Sequence, residues 1–313
     1  LGETARACMP TILQAFLGRP DDTPAGDAFE RRLYVCRRTI EKKADAEFAL
    51  RDKIFYVCSM SSRTIVYKGM LVATQMRRFF IDLNDAAVKT AVALVHSRYS
   101  TNTTPSWERA HPNRFIIHNG EINTLKGNVN WIRAREPNLY SPVLQHDLER
   151  VMPIINREGS DSAILDNVLE FLVMNGRPLT RAASMLLPEP WDHNDSLSEE
   201  RRAYDAYQSM LMEPWDGPAA IAFTDGRTLG AALDRNGLRP ARYYVTRDGR
   251  FMLASEVGTI EVRPENILTS GCLGPGQMLE VDFARGRVIY NDELRARYAK
   301  EKPYRDWIAE ETL

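Results

Sequence analysis

"HSRYSTNTTPSWERAHPNRFIIHNGEINTLKG", residues 96–127, sets two polar clusters, His-Ser-Arg-Tyr-Ser-Thr and His-Asn-Gly-Glu, around a short apolar run from Phe115 to Ile117. Just upstream, "AVALVHSRYS" is almost wholly apolar through Val95, the pattern of a strand buried on both faces. "RFIIHNGEI" reads as a second strand. Both runs end in polar residues, so an arginine and an Asn-Gly pair are expected at the ends of neighbouring strands.

Outward from this stretch the pattern alternates between strands and helices. Residues 1–50 read as helices and polar connections, followed by "IFYVCSMSSRTIVYKGM", two β-rich runs separated by Ser61, Ser62 and Arg63, as in a hairpin. Ser160 is a good N-cap, and "DSAILDNVLEFLVMNG" places Leu165, Val168, Leu169 and Leu172 on one helical face before ending at Asn175-Gly176. Such a helix should lie on a sheet. A further helix is expected in "SEERRAYDAYQSMLM", after the loop "LPEPWDHNDS". The short runs "AAIAFTDG", "TLGAALDR", "ARYYVT" and "FMLASE" are punctuated by turns at Asp225-Gly226 and Asp248-Gly249, and "GQMLEVDFARGRVIY" reads as a last hairpin. Strands on both sides of central helices predict two sheets covered by helices, an α+β layered fold.

Composition excludes several classes of function. The 313 residues can fill a sizeable core at 44% hydrophobic content, and 41 basic against 42 acidic side chains leave a net charge of -1. No basic stripe invites nucleic acid, and no apolar run has the roughly 20 residues that span a bilayer. The start, "LGETARACMP", lacks the features of a signal peptide, so a cytoplasmic location is expected. Cys8, Cys36, Cys58 and Cys272 are scattered, without the Cys-x-x-Cys spacing of a zinc or iron–sulfur site, and read as buried reduced thiols. "GCLGPGQ" has neither dinucleotide nor Walker spacing and reads as a turn.

Three positions carry candidate chemistry, each with a plainer alternative. Arg98, at the end of an apolar strand, needs a carboxylate or a set of carbonyls, supplied either by the protein itself, as in an internal salt bridge, or by a substrate. His118-Asn119-Gly120 is either a simple turn or the source of a side-chain N–H and an unshielded backbone N–H for a developing oxyanion. Asp161 either complements the dipole of the helix it begins or receives an ammonium group.

Together, "SSRTIVYKGM", "HSRYSTNT", "HNGEINTLKGN", "GSDSA", "WDGPAAIAFTDG" and "LDRNGLRPARYYVT" resemble the class II glutamine amidotransferases, N-terminal-nucleophile hydrolases that release ammonia from glutamine. The long intervening segments are similar to those of the glutamate synthases. The resemblance implies a four-layer αββα sandwich, incomplete at the N-terminus, over residues 1–295, with 296–313 starting the connection to the next domain. It assigns Arg98 to the α-carboxylate of L-glutamine, Asp161 to its α-ammonium, and Asn119 with Gly120 to the oxyanion hole. It also implies a nucleophilic cysteine at the mature N-terminus, whose α-amine acts as base. This chain begins with Leu1 and Cys8 sits in "RACMP", so the expectation is an inactive fragment lacking the nucleophile. Further implied are downstream synthase domains that pass ammonia to 2-oxoglutarate, FMN and an iron–sulfur cluster outside this segment, and a small reductase subunit. Two alternatives stay open: the amidotransferase part of another ammonia-channelling enzyme, and a non-catalytic glutamine-sensing or docking module.

Overall fold

Ser160 caps a largely buried helix, and its side chain accepts from the Ala163 backbone N–H as the N-cap reading requires. In a computed structural model that describes residues 1–48, 54–99, 104–256 and 258–311, the helices and strands run as follows. First come α1 (Glu3–Ala7), α2 (Asp27–Phe48), α3 (Met76–Phe79), β1 (Ile116–Gly120), α4 (Leu125–Arg135), α5 (Leu148–Val151), α6 (Asp161–Met174), α7 (Leu179–Leu186) and α8 (Glu199–Leu211). Then follow β2 (Ala219–Thr224), β3 (Thr228–Leu233), β4 (Arg242–Thr246), β5 (Phe251–Ala254), β6 (Ile267–Cys272), β7 (Met278–Asp282), β8 (Arg287–Tyr290), α9 (Asn291–Ala299) and α10 (Tyr304–Glu311). Helices with antiparallel sheets make the chain α+β, as expected. It divides into two compact units, one of residues Leu1–Ile117 and Arg133–Arg177, the other of His118–Ile132 and Pro178–Leu313.

The first unit is built on α2 and α6. Leu165, Val168, Leu169 and Leu172 are all buried, and α6 ends at Asn175 with Gly176 at φ +89°, the left-handed stop that an Asn-Gly pair supplies cheaply. Within this unit α6 packs on α2. The two helices bury charge as well as hydrocarbon. Arg37, 1% exposed, donates both to Glu41 (2.9–3.0 Å) and to Glu170 of α6 (2.5 Å). Glu41 also receives Arg38 and Arg114, so this buried carboxylate has three cationic partners.

The hairpin expected over residues 54–70 does not form, nor does a strand over 91–99; Ser100, the end of that run, lies outside the described residues. These β-rich runs lie as irregular chain because a strand is stable only where a neighbour takes up its backbone groups, and side chains take up several of them instead. Glu30 accepts from Ser62 N and from both serine hydroxyls, Ser61 Oγ receives Arg63 N and Thr64 N, and Ser59 Oγ receives Val66 N.

The second unit holds both sheets. One has the order β1-β2-β3-β7-β8, the other β5-β4-β6. Asp225-Gly226 closes β2 on β3, with Gly226 at φ +83°, and Asp248-Gly249 closes β4 on β5, with Gly249 at φ +81°. The expected last hairpin is β7–β8. A strand not read from the sequence, β6, pairs with β4 through Arg242↔Cys272 to Val245↔Thr269. Helices α7, α8, α9 and α10 complete the unit, with Tyr204, Tyr298 and Tyr304 buried among them. Arg295 of α9 is fully buried and donates to Asn291 Oδ1 (3.1 Å), Asp205 Oδ1 (3.3 Å) and the Gly276 carbonyl (3.1 Å).

Candidate functional site

β1 ends in His118, Asn119 and Gly120, and what surrounds Gly120 explains why that position has no side chain. Its φ is +148°, and a Cβ there would stand 1.7 Å from the Pro218 carbonyl oxygen and 2.9 Å from Ala219 Cα. Gly217 is its counterpart: at φ +153°, a Cβ would stand 1.9 Å from the Glu121 carbonyl oxygen. The two chain segments therefore meet backbone to backbone. Glu121 N donates to Pro218 O (3.2 Å), Asn123 N and Thr124 N donate to Asp216 O (2.7 and 3.2 Å), and Asp216 N donates back to Thr124 Oγ1 (3.0 Å). Asn128, on the first turns of α4, accepts from Thr124 Oγ1 and donates to Pro214 O (3.0 Å). Asn119 is half-buried at this seam, and among the described residues its side-chain amide has no hydrogen-bond partner. A strand end of this kind can present a side-chain N–H and a backbone N–H to one oxygen atom.

The seam has its own support. Arg235 clasps Asp216 with two N–H groups, Nε to Oδ1 (3.0 Å) and Nη2 to Oδ2. Next to it, Asp234, 2% exposed, accepts from Ala219 N (3.0 Å) and from the turn amides of Asn236 and Gly237 (2.8 and 3.2 Å). Neither "WDGPA" nor "LDRNG" is assigned a role by composition or periodicity. The signal that points to them is an Asp-Gly and an Asn-Gly pair flanking a strand pair, where glycine marks close backbone approach.

Arg98 and Asp161 lie in the first unit, Asn119 and Gly120 in the second. Arg98 is exposed, and among the described residues its guanidinium has no carboxylate partner. Its backbone is fixed by the His96 ring, whose Nδ1 lies 3.2 Å from Arg98 N and 2.7 Å from Arg98 O. Burial holds His96 below the usual imidazole range. Of the "RYST" run, Ser100 and Thr101 lie outside the described residues. Asp161 is the first residue of α6, 8% exposed, with Oδ1 accepting from Ser162 N (2.7 Å) and Ser162 Oγ (3.2 Å). It is a buried carboxylate oriented by its neighbour, suited both to the helix dipole and to a cation.

A residue absent from the sequence reading holds the start of β1. Asp166, one turn into α6 and 1% exposed, receives three successive backbone N–H groups: Arg114 on Oδ2 (3.1 Å), then Phe115 and Ile116 on Oδ1 (2.8 and 3.1 Å). Burial, with the negative charge of Glu170 second, pushes its carboxyl up to about 6. The sequence signal was an acidic residue inside the apolar run "ILDNVLEFL".

The cysteines are not the buried thiols expected: Cys8, Cys36 and Cys272 are exposed and Cys58 is half-buried, because none of the first three lies on a core-facing position. Burial raises the Cys58 thiol, and Cys8 is exposed with its Sγ on Thr4 O (3.1 Å). Among the described residues no three His, Cys, Asp or Glu side chains are grouped to hold a metal ion, so the residues here do not fit an iron–sulfur cluster. No described helix is long and apolar enough to cross a membrane.

Comparison with known proteins places the chain in a family. The family model described as "Glutamine amidotransferases class-II" matches residues 1–307. The chain is 52% identical to the "Glutamate synthase [NADPH] large chain" of Bacillus subtilis, with 100% of the chain and 20% of that protein covered. It is 45% identical to the "Glutamate synthase [NADH]" of Schizosaccharomyces pombe, covering 100% and 15%, respectively. It is 44% identical to the chloroplastic "Ferredoxin-dependent glutamate synthase" of Oryza sativa, covering 100% and 19%. The chain thus spans 20% or less of the length of these curated relatives.

Proposed function

We propose that this chain, which belongs to the class II glutamine amidotransferases, binds free L-glutamine and serves in hydrolysis of its side-chain amide as the ammonia-releasing part of a glutamate synthase. The observation that carries this reading is the Asn119-Gly120 strand end, where a glycine that tolerates no Cβ stands next to an amide side chain with no partner among the described residues. Arg98 would hold the α-carboxylate with its guanidinium fork, and Asp161 the α-ammonium. Recognition of both ends selects the free amino acid over glutamine within a peptide. Fixing both ends also makes attack on the amide effectively unimolecular.

Attack by a cysteine thiolate forms a carbon–sulfur bond and moves the carbonyl π electrons onto oxygen. Asn119 Nδ2 and the Gly120 N–H would donate to that oxyanion. Collapse of the tetrahedral adduct breaks the carbon–nitrogen bond as the nitrogen takes a proton, releasing ammonia, and water then hydrolyses the thioester to glutamate. The resemblance gives the thiolate to a cysteine at the mature N-terminus and its proton transfers to the α-amine. Ammonia would go to 2-oxoglutarate on further domains, where FMN and an iron–sulfur cluster would be carried. A small reductase subunit would supply electrons. No step in this chain passes through those groups.

The test is Asn119→Ala in the intact enzyme. Glutamine-dependent kcat should fall about 10²–10³-fold while KM for glutamine barely moves, because the donor acts mainly in the transition state. Ammonia-dependent glutamate formation should persist. A lowered melting temperature with unchanged kcat would make the strand end an ordinary turn and remove the reading.

A further inference from the structure

The roles given to Asn119 and Gly120 leave unexplained why "WDGPA" grips the chain just after this strand end and why "LDRNG" grips "WDGPA" in turn. Three layers of contact run in one direction. The Asp216–Pro218 backbone receives the amides of Glu121, Asn123 and Thr124 immediately after Gly120. Behind it, Arg235 holds the Asp216 carboxylate by two N–H groups, while the Asp234 carboxylate holds Ala219 N and the Asp234 N–H donates to Ala219 O (3.0 Å). Between the first two layers there is no spare room, since a Cβ on either Gly120 or Gly217 would lie under 2 Å from a carbonyl oxygen of the opposite segment.

The Arg235–Asp216 pair is poorly explained as a stabilising device. The two side chains are 41% and 21% exposed, and a pair so placed contributes little to folding free energy once solvent screening is counted. A two-pronged guanidinium clasp does, however, fix the direction of the carboxylate and so of the Asp216 backbone that carries it. Because the contact across the seam is backbone on backbone, a displacement of Asp216 passes to Glu121–Thr124 without a flexible side chain to absorb it.

We propose that Asp216, Gly217 and Arg235 are positioning residues for amide hydrolysis, setting the direction in which Asn119 Nδ2 and the Gly120 N–H point. The proposal rests on the oxyanion reading of Asn119 and Gly120 and adds the device that aims them. Oxyanion donors act only within a few tenths of an ångström of their proper place, so loosening the clasp is costly to the rate and cheap to the fold.

In the intact enzyme, Arg235→Gln and Gly217→Ala are measured beside Asn119→Ala, each for glutamine kcat, glutamine KM, ammonia-dependent rate and melting temperature. Arg235→Gln should lower glutamine kcat on the order of ten- to a hundredfold with KM held within about twofold, the scale of loss from misplacing a reacting group by up to 1 Å. Ammonia-dependent formation of glutamate should stay at the wild-type rate, and Arg235→Lys should recover part of the lost kcat. Combining Arg235→Gln with Asp216→Asn should cost no more than the worse single change, since both break one clasp. Should Gly217→Ala fail to fold, the Arg235 variants decide alone. If Asn119→Ala lowers kcat and the Arg235 variants do not, the positioning role falls and the oxyanion reading stands. If Asn119→Ala itself leaves kcat unchanged, both fall. Equal loss of the glutamine- and ammonia-dependent rates in Arg235→Gln would make the clasp merely structural and overturn the proposal.

Discussion

Replacing Asp166 tests how the approach to β1 is held. Its carboxylate takes three consecutive backbone N–H groups, and two of the residues that donate them, Phe115 and Ile116, are 8% and 0% exposed. Asp166→Ala leaves those donors without an acceptor, and at about 1–3 kcal/mol for each buried orphan the loss is roughly 2–6 kcal/mol. Asp166→Asn keeps one oxygen for Phe115 and Ile116, gives up the bond to Arg114 N, and should cost only about 1 kcal/mol near pH 4. The two variants also differ from the native chain in how stability depends on pH. Burial raises the Asp166 carboxyl from 3.8 to about 6, so between these values the unfolded chain has ionised while the folded chain keeps its proton. The folded state binds more protons there, and the Asp166 contribution to stability is complete below pH 3.8 and is lost as pH rises through 6. At about 1.4 kcal/mol for each pH unit of that interval, the wild type should lose about 3 kcal/mol relative to Asp166→Asn between pH 4 and 7. Urea unfolding followed by tryptophan fluorescence at several pH values gives the difference directly, with other titrating groups cancelling between the two proteins. A difference that does not change with pH, or a wild type that gains on the variant as pH rises, would refute the claim that burial dominates at this carboxylate.

Arg98→Ala in the intact enzyme should lower kcat/KM for glutamine by roughly 10- to 100-fold, the loss of one charge-assisted contact of about 1.5–3 kcal/mol, with ammonia-dependent synthesis retained. Steady-state rates with the two nitrogen sources check it, and equal loss in both would make Arg98 a folding residue. Arg295→Met should destabilise by about 3–5 kcal/mol, because it leaves the buried Asp205 carboxyl, already pushed up to about 7 by burial, without its cation. Adding Asp205→Leu should recover much of that loss in the same denaturant titration.

Local chemistry made much of the fold legible. A serine N-cap and an Asn-Gly stop bound α6 closely, and two Asp-Gly pairs located the β2–β3 and β4–β5 turns, because each of these signals acts within a few residues. The runs at 54–70 and 91–99 misled for the opposite reason. Their β-branched residues favour extended chain, but pairing depends on what lies alongside, and in the first run Glu30, Ser59 and Ser61 take several of the backbone donors. The site divides the same way. The Asn119-Gly120 candidate comes from its motif, whereas the contact of Thr124 with Asp216 joins positions 92 residues apart that no periodicity connects. Asp166 escaped notice because its neighbours in the sequence are apolar and its partners are backbone amides, which any sequence would offer.

The facing glycines at 120 and 217 also constrain how this protein can change. A core side chain that grows can often be accommodated by a neighbour that shrinks, which leaves a path through paired substitutions. Here each position abuts the other segment's carbonyl oxygen, and neither has anything left to remove. Second-site suppression within the seam is therefore closed, and a library randomised at both positions together should return glycine at both, just as two libraries randomised separately would. Variation in the surrounding enzyme has to proceed around this pair of residues.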